Sequence, residues 1–404
     1  MDLMVDKGRL WDSLMEMGMV GGLPKGGCCR LALSNDDRKG RDLFVRWCRK
    51  EGCEISIDQV GNIFARRPGR DNSRPAVATG SHLDTQPHGG KFDGIYGVLA
   101  GLEVVRTLNE AGIETQAPID VIVWTNEEAA RFNPPLAGSS AFAGLLDVPF
   151  LHAVVTQDGT TVHEDLEQIG YLGDEIPGER MLDCFVEAHI EQGPILEAEN
   201  KTIGVVTQIQ GIRWSAVTLT GQDAHAGTTP MNRRRDALVG AAEIVTTLNR
   251  LARNEDEWTR LTVGRLEVSP NSGATVPGET SLICDLRHPD ANTLERLDNQ
   301  IQEVIQAVAK QNHLEAKIER TIDAPPVYFS GELIDSVRDA AERLGYAHID
   351  MLSGAGHDAM NLAQIVPTAM IFVPCKDGIS HNEAESAKPE DLAAGAHTLL
   401  HTLL

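Results

Sequence analysis

Between Gly80 and Gly97 the chain reads GSHLDTQPHGGKFDGIYG, which sets His82, Asp84 and Asp93 among glycines after a short apolar run, Ala76-Val77-Ala78. A His-x-Asp pair followed by a second aspartate is ligand chemistry for a hard or borderline divalent cation. The same residues also suit a polar loop in which each caps or turns the backbone. Further along, Glu127 and Glu128 follow the apolar run IDVIVWT and Asn126. Two adjacent carboxylates ending an apolar strand are unfavourable unless something cationic compensates them, although a solvated strand end is the simpler reading. A two-metal centre accommodates the pair: one carboxylate binds metal while its neighbour takes a proton from water. His189, in EAHIEQGP, and His381, in KDGISHNE, are further ligand candidates. Each has the ordinary alternative of a structural or surface histidine. His88, His152, His163, His288, His313, His348, His397 and His401 are given that ordinary role.

The elements that must position these residues follow from periodicity. Residues 1–20 read as a helix, with Leu10, Leu14 and Met17 on one face. Ser34 to Asp37 caps a second helix over about 35–52. Residues 54–57 and 62–65 read as a hairpin, 76–79 as a strand, 96–111 as a helix and 119–125 as a buried strand. Strands alternating with helices imply an α/β sheet covered on both faces, with ligands gathering beyond the carboxyl ends of the strands. His82 and Asp84 follow one such strand and Glu127-Glu128 another, so they are expected at one rim.

From about Gly211 the order becomes strand 214–220, helix 235–252, strands 261–268 and 281–287, helix 292–311 and strand 316–322. This β-α-β-β-α-β order predicts a ferredoxin-like sandwich. Helix 331–344, a loop over 353–360, strand 368–373 and helix 388–403 then return to α/β texture. The expected division is residues 1–211 with 327–404 as one domain and 212–326 as an inserted one.

Composition narrows the partners. The chain has 404 residues, a formal net charge of −23 and seven scattered cysteines without a C-x-x-C. So acidic a protein is a poor ligand for nucleic acid or anionic membrane. An anionic small substrate is still acceptable where a local arginine overrides the field. The cysteines read as reduced, no apolar run is long enough to span a bilayer, and no secretory signal is evident, so a cytoplasmic location is expected.

The segments GSHLDTQPHGGKFDGIYG, TNEEAARFNPPLAGS, HIEQGP, GQDAHAGTTPMNRRRDAL, SGAGHDA and KDGISHNEAE together closely resemble the hydantoinase/carbamoylase amidases of the zinc aminoacylase and carboxypeptidase superfamily. The resemblance spans essentially the whole chain. It implies a catalytic α/β domain with a dinuclear metal site (zinc, or manganese, cobalt or nickel) and an inserted ferredoxin-like domain that dimerises the protein. By that resemblance His82 and His189 bind one metal, Glu128 and His381 the other, and Asp93 bridges both. Glu127 is the general base, and the Asp84 carboxylate orients His82. His225 supplies a donor to the oxyanion, and Arg287 clamps the substrate carboxylate. Gln192 resembles a further substrate contact. The activity implied is hydrolysis of an N-carbamoyl amino acid or similar small anionic ureido or amide substrate.

Two positions depart from the family pattern. An asparagine that helps hold substrate in several members is replaced by Ala274, leaving Asn271, three residues earlier, as its substitute. Allantoate amidohydrolases, which the chain also resembles, carry an additional arginine at Trp214, whereas here Arg213 stands one position early. On a strand that offset points to the opposite face. Both departures speak against allantoate as substrate.

Overall fold

The computed structural model describes residues 3–404. The first two residues of the helix expected over 1–20 lie outside them, and that helix runs Lys7–Gly18, its first turn capped by the Asp6 side chain. The chain forms two compact units. The first extends to Thr207 and resumes over Tyr328–Leu404, and the second is Gln208–Val327.

Four parallel strands lie side by side at the centre of the first unit's nine-stranded sheet. In spatial order they are Ile119–Trp124, Ala76–His82, Leu182–Ile190 and Thr368–Val373. The hairpin Glu54–Ile57 and Ile63–Arg67 extends the sheet antiparallel on one side, and Ile203–Ile209 on the other. Ile119–Trp124 and Thr368–Val373 are buried along their whole length, as strands covered on both faces require. The one charge inside the first of them, Asp120, is held by Arg66 at 2.8 Å and Arg180 at 3.0 Å. Helix Ile95–Glu110 is buried from Ile95 to Leu108 and lies on this sheet. Its Val98, Leu102 and Val105 join the main apolar core, each burial worth about 1.5–3 kcal/mol.

Leu182–Ile190 is not among the expected strands. Asp183, Cys184, Glu187 and His189 interrupt its apolar run, so its pattern does not announce a central strand. Buried Glu187 is stabilised only by tertiary partners, the Ser81 hydroxyl at 2.6 Å and the Ala359 amide at 2.9 Å. The expected loop over 353–360 likewise ends in the short helix Ala359–Leu362.

The second unit holds a four-stranded antiparallel sheet in the order Glu315–Ala324, Gly211–Thr220, Glu279–His288, Arg260–Ser269. Helices Ala237–Arg253 and Ala291–Gln311 share a core with Val217, Leu219, Leu282 and Leu286 through Ile244, Leu248, Leu297 and Ile301. Burial alternates along Glu279–His288, the period of a sheet with one covered face. A separate two-residue ladder pairs Ala224–His225 with Thr275–Val276.

Candidate metal centre

The carboxyl ends of the four parallel strands share one rim. His82 ends its strand opposite Trp124, which places the turn after it beside the turn carrying Glu127 and Glu128. His189 is the penultimate residue of Leu182–Ile190, and the segment after Thr368–Val373 brings in Ser380 and His381.

Asp93 is where they meet. Its Oδ1 lies 3.2 Å from His189 Nε2 and 3.8 Å from His82 Nε2. Its Oδ2 lies 3.2 Å from His381 Nε2, which is itself 3.3 Å from Glu128 Oε2. Two groups of converging donors result, His82–Asp93–His189 and Asp93–Glu128–His381, with Asp93 common to both. Glu127 belongs to neither group, and its Oε2 is 3.7 Å from His82 Nε2. Gly94 makes the crowding possible. Its φ is +69°, and a Cβ there would fall on the His82 ring.

The donors suit a divalent cation. The Nδ1 atoms of His82 and His189 each lie 2.9 Å from a main-chain carbonyl, of Asp84 and Ile190 respectively. A carbonyl only accepts, so both Nδ1 atoms carry a proton, and each Nε2 is left as the ring atom facing Asp93, that of His189 also 3.1 Å from the Gly94 amide. Burial pushes His82 down to about 4. Burial also opposes charge on His189, but the Asp93 carboxylate outweighs it and draws that imidazole up to about 9. Its hydrogen bond to Asp93 raises His381 to about 9 as well. Burial, with Asp93 close by, pushes Glu128 up to about 8, and burial beside Glu128 raises Glu127 well above the carboxylate range. Such a cluster of carboxylates and imidazoles has the charge deficit that cations fill.

Asp84 is placed differently from the expectation. Its carbonyl, not its carboxylate, holds His82, and the nearer carboxylate oxygen is 4.0 Å from Nδ1. The carboxylate instead accepts the amides of Glu127 at 3.4 Å and Glu128 at 3.2 Å, fixing the turn that presents both glutamates. Gln192, expected on the substrate, donates to Asp93 Oδ2 at 2.8 Å and to the Ser380 hydroxyl at 3.0 Å.

The other expected substrate residues belong to the second unit. His225 is exposed, and its Nδ1 accepts the amides of Gly227 at 3.0 Å and Thr228 at 3.3 Å. Arg287 is held by Asp285, with Nε 3.0 Å from Oδ1 and the terminal nitrogen 2.9 Å from Oδ2. Asn271 is exposed in a loop at φ +52°. Arg213 is engaged by Glu295 at 2.6 Å and Asp323 at 2.9 Å.

Three buried polar residues around the centre, and the half-buried Gln86, were not singled out from the sequence. Gln86 holds Glu128, and Glu385 holds the main chain at Asp93. His357 packs its ring 4.4 Å from that of His189, and Asp358 accepts the Ser139 hydroxyl at 2.5 Å. The segments SGAGHDA and SHNEAE contain three of them, but nothing in their spacing separates these residues from ordinary loop polar groups.

Residues 78–404 match the profile of peptidase family M20/M25/M40. An amidase of the hydantoinase/carbamoylase family from Burkholderia multivorans has a crystal structure that superposes with a TM-score of 0.95 at 52% identity, covering 100% of this chain and 98% of that one. An N-carbamoyl-L-amino-acid amidohydrolase from Rhizobium meliloti is 45% identical over 99% of this chain and 96% of its own length. An allantoate amidohydrolase from Escherichia coli K12 is 34% identical over 96% of this chain and 95% of its own. The chain belongs to peptidase family M20/M25/M40 and, within it, to the hydantoinase/carbamoylase amidases.

Proposed function

We propose that the protein hydrolyses the carbamoyl C–N bond of an N-carbamoyl-L-amino acid, or a 3-ureidopropionate-like substrate, to amino acid, ammonia and carbon dioxide. The observation that carries this reading is the pair of donor groups sharing Asp93, with Glu127 beside them and outside both. In this reading His82 and His189 hold one divalent ion, Glu128 and His381 the second, and Asp93 both. Zinc, or else manganese, cobalt or nickel, held by these residues would polarise the carbonyl and make a water acidic enough to ionise near neutral pH. Glu127 takes the proton from the attacking water and passes it to the departing nitrogen.

His225 and Arg287 complete the reading from the second unit. Two amides donate to His225 Nδ1, so the neutral ring carries its proton on Nε2, free to stabilise a developing oxyanion. Asp285 occupies the Nε edge of the Arg287 guanidinium and fixes its plane, and Arg287 is assigned the substrate carboxylate. Asn271 is assigned a weaker substrate contact on the same unit. Arg213 is committed to Glu295 and Asp323, so it does not supply the extra donor an allantoate would use.

The strand order and the two helices of the second unit support reading it as a ferredoxin-like dimerisation and lid domain. Strand Arg260–Ser269 is an unpaired sheet edge with Leu266 exposed, which suits pairing with a second copy in a homodimer. No helix among the described residues is long and apolar enough to cross a membrane, and the seven cysteines are free, in keeping with a cytoplasmic enzyme.

The test uses chelator-treated protein reloaded with zinc, manganese, cobalt or nickel. It is offered N-carbamoyl-L-amino acids, 3-ureidopropionate, allantoate and N-acyl amino acids, and ammonia and amino acid are measured. Metal-dependent turnover of the carbamoyl compounds is expected. Faster turnover of allantoate or of acyl donors would overturn the assignment.

A further inference from the structure

Glu385 lies beyond His381 on the same segment and is 7% exposed. Its carboxylate gathers three donors: the Phe92 amide at 2.9 Å and the Asp93 amide at 3.2 Å on Oε1, and the Ser380 hydroxyl at 3.0 Å on Oε2. Ser380 Oγ also stands 3.1 Å from Asp93 Oδ2, and Gln192 Nε2 reaches that same oxygen and the same hydroxyl. The Glu385 amide bonds back to Asn382 O at 3.0 Å, closing the turn on which His381 sits. Room for the carboxylate comes from Gly90, where a Cβ would fall on it. A carboxylate buried this deeply, with no cationic side chain among its hydrogen-bond donors, is unfavourable unless its bonds serve a purpose. Here the two amide bonds, and Ser380 Oγ beside Asp93 Oδ2, join the segment of His381 to the loop of Asp93.

We propose that Glu385, acting with Ser380, is the positioning residue of the second metal position: it locks the His381 turn to the main chain of Asp93. The ligands Asp93 and His381 then stand at binding separation before an ion arrives. The inference rests on the two-metal reading above. Asp93 is common to both groups, but only the Asp93–Glu128–His381 group also depends on the His381 segment, since His82 and His189 are oriented by their own main-chain carbonyls.

The test titrates metal-free wild type and the variants E385A, E385Q and S380A with zinc, counting bound ions by elemental mass spectrometry and following affinity by calorimetry. Melting of each metal-free form is recorded alongside. Wild type is expected to bind two ions. E385A should keep the first at wild-type affinity and bind the second about 10–100-fold more weakly. E385Q retains an acceptor for the two amides and should restore most of the loss, whereas S380A should lose about tenfold on the second ion alone. E385A that binds both ions like wild type overturns the inference. Equal weakening of both ions together with a lowered melting temperature overturns it too, since a merely structural role behaves that way. If E385A fails to fold, S380A and E385Q decide by the same criterion. Wild type that takes up fewer than two ions overturns the two-metal reading, and this inference with it.

Discussion

The side-chain amide of Gln86 donates to Glu128 twice, to carboxylate Oε2 at 2.8 Å and to the carbonyl at 3.0 Å. Of the two adjacent glutamates only Glu128 is tethered in this way, and it is the one facing His381. Gln86→Leu keeps the volume and removes both bonds. It is expected to lower kcat/KM about tenfold at limiting metal and to recover with excess metal, as loss of an outer hydrogen bond to a ligand does. Steady-state kinetics at two metal concentrations check this. A defect that ignores metal concentration would place Gln86 elsewhere in the reaction.

Glu127→Gln keeps the shape of the side chain and removes its basicity. Metal content should equal that of wild type while turnover falls about 10²–10⁴-fold, the usual contribution of a general base. Elemental analysis and a single-turnover assay on one preparation check both halves. Full activity would remove Glu127 from the mechanism.

The metal-free protein should lose stability as pH rises. Asp84 and Glu128 are raised to about 7 and 8 from ordinary values of 3.8 and 4.5, so their ionisation disfavours the fold increasingly through that interval. His189 and His381 are raised to about 9 from 6.5, so their stabilising charge is complete below about 6.5 and gone above about 9. Both terms have the same sign, and the opposing term of His82, lowered to about 4 from 6.5, is complete by about pH 6.5. Melting of chelated protein should therefore fall steadily between about pH 6.5 and 9, and bound divalent ions should flatten the curve by neutralising the carboxylates and replacing the protons. Parallel melting series with and without metal decide the point.

His225→Ala should reduce kcat about 10²–10³-fold with metal content unchanged, the effect of losing one oxyanion donor. Alanine also leaves the amides of Gly227 and Thr228 without their acceptor. His225→Asn offers an oxygen to those amides but lacks the imidazole Nε2–H. If the asparagine variant melts like wild type and is as slow as the alanine variant, the loss belongs to Nε2–H. Restored activity in it would assign His225 to loop structure only.

What the sequence announces depends on the kind of bond a residue makes. The candidate ligands at 82, 93, 128, 189 and 381 have residue types that cations need, and it is the resemblance of their motifs to the hydantoinase/carbamoylase amidases that singles them out. Strands Ile119–Trp124 and Thr368–Val373 are legible from continuous apolar runs, and the second unit from clean alternation of strands and helices. Leu182–Ile190 is hidden because its buried Glu187 is satisfied by Ser81 and Ala359, far away in sequence. Glu385 and Asp84 are hidden in a different way. Their acceptors serve main-chain amides, which every residue but proline possesses, so no partner type betrays them.

Strand Thr368–Val373 lies between Leu182–Ile190 and Ile203–Ile209, although it is made far later than either. During synthesis the earlier strands must wait with a gap between them, and the segment that carries Ser380, His381 and Glu385 is made after both. Contacts this distant in sequence close slowly. The candidate centre is therefore incomplete until this late strand has slotted between the two earlier ones.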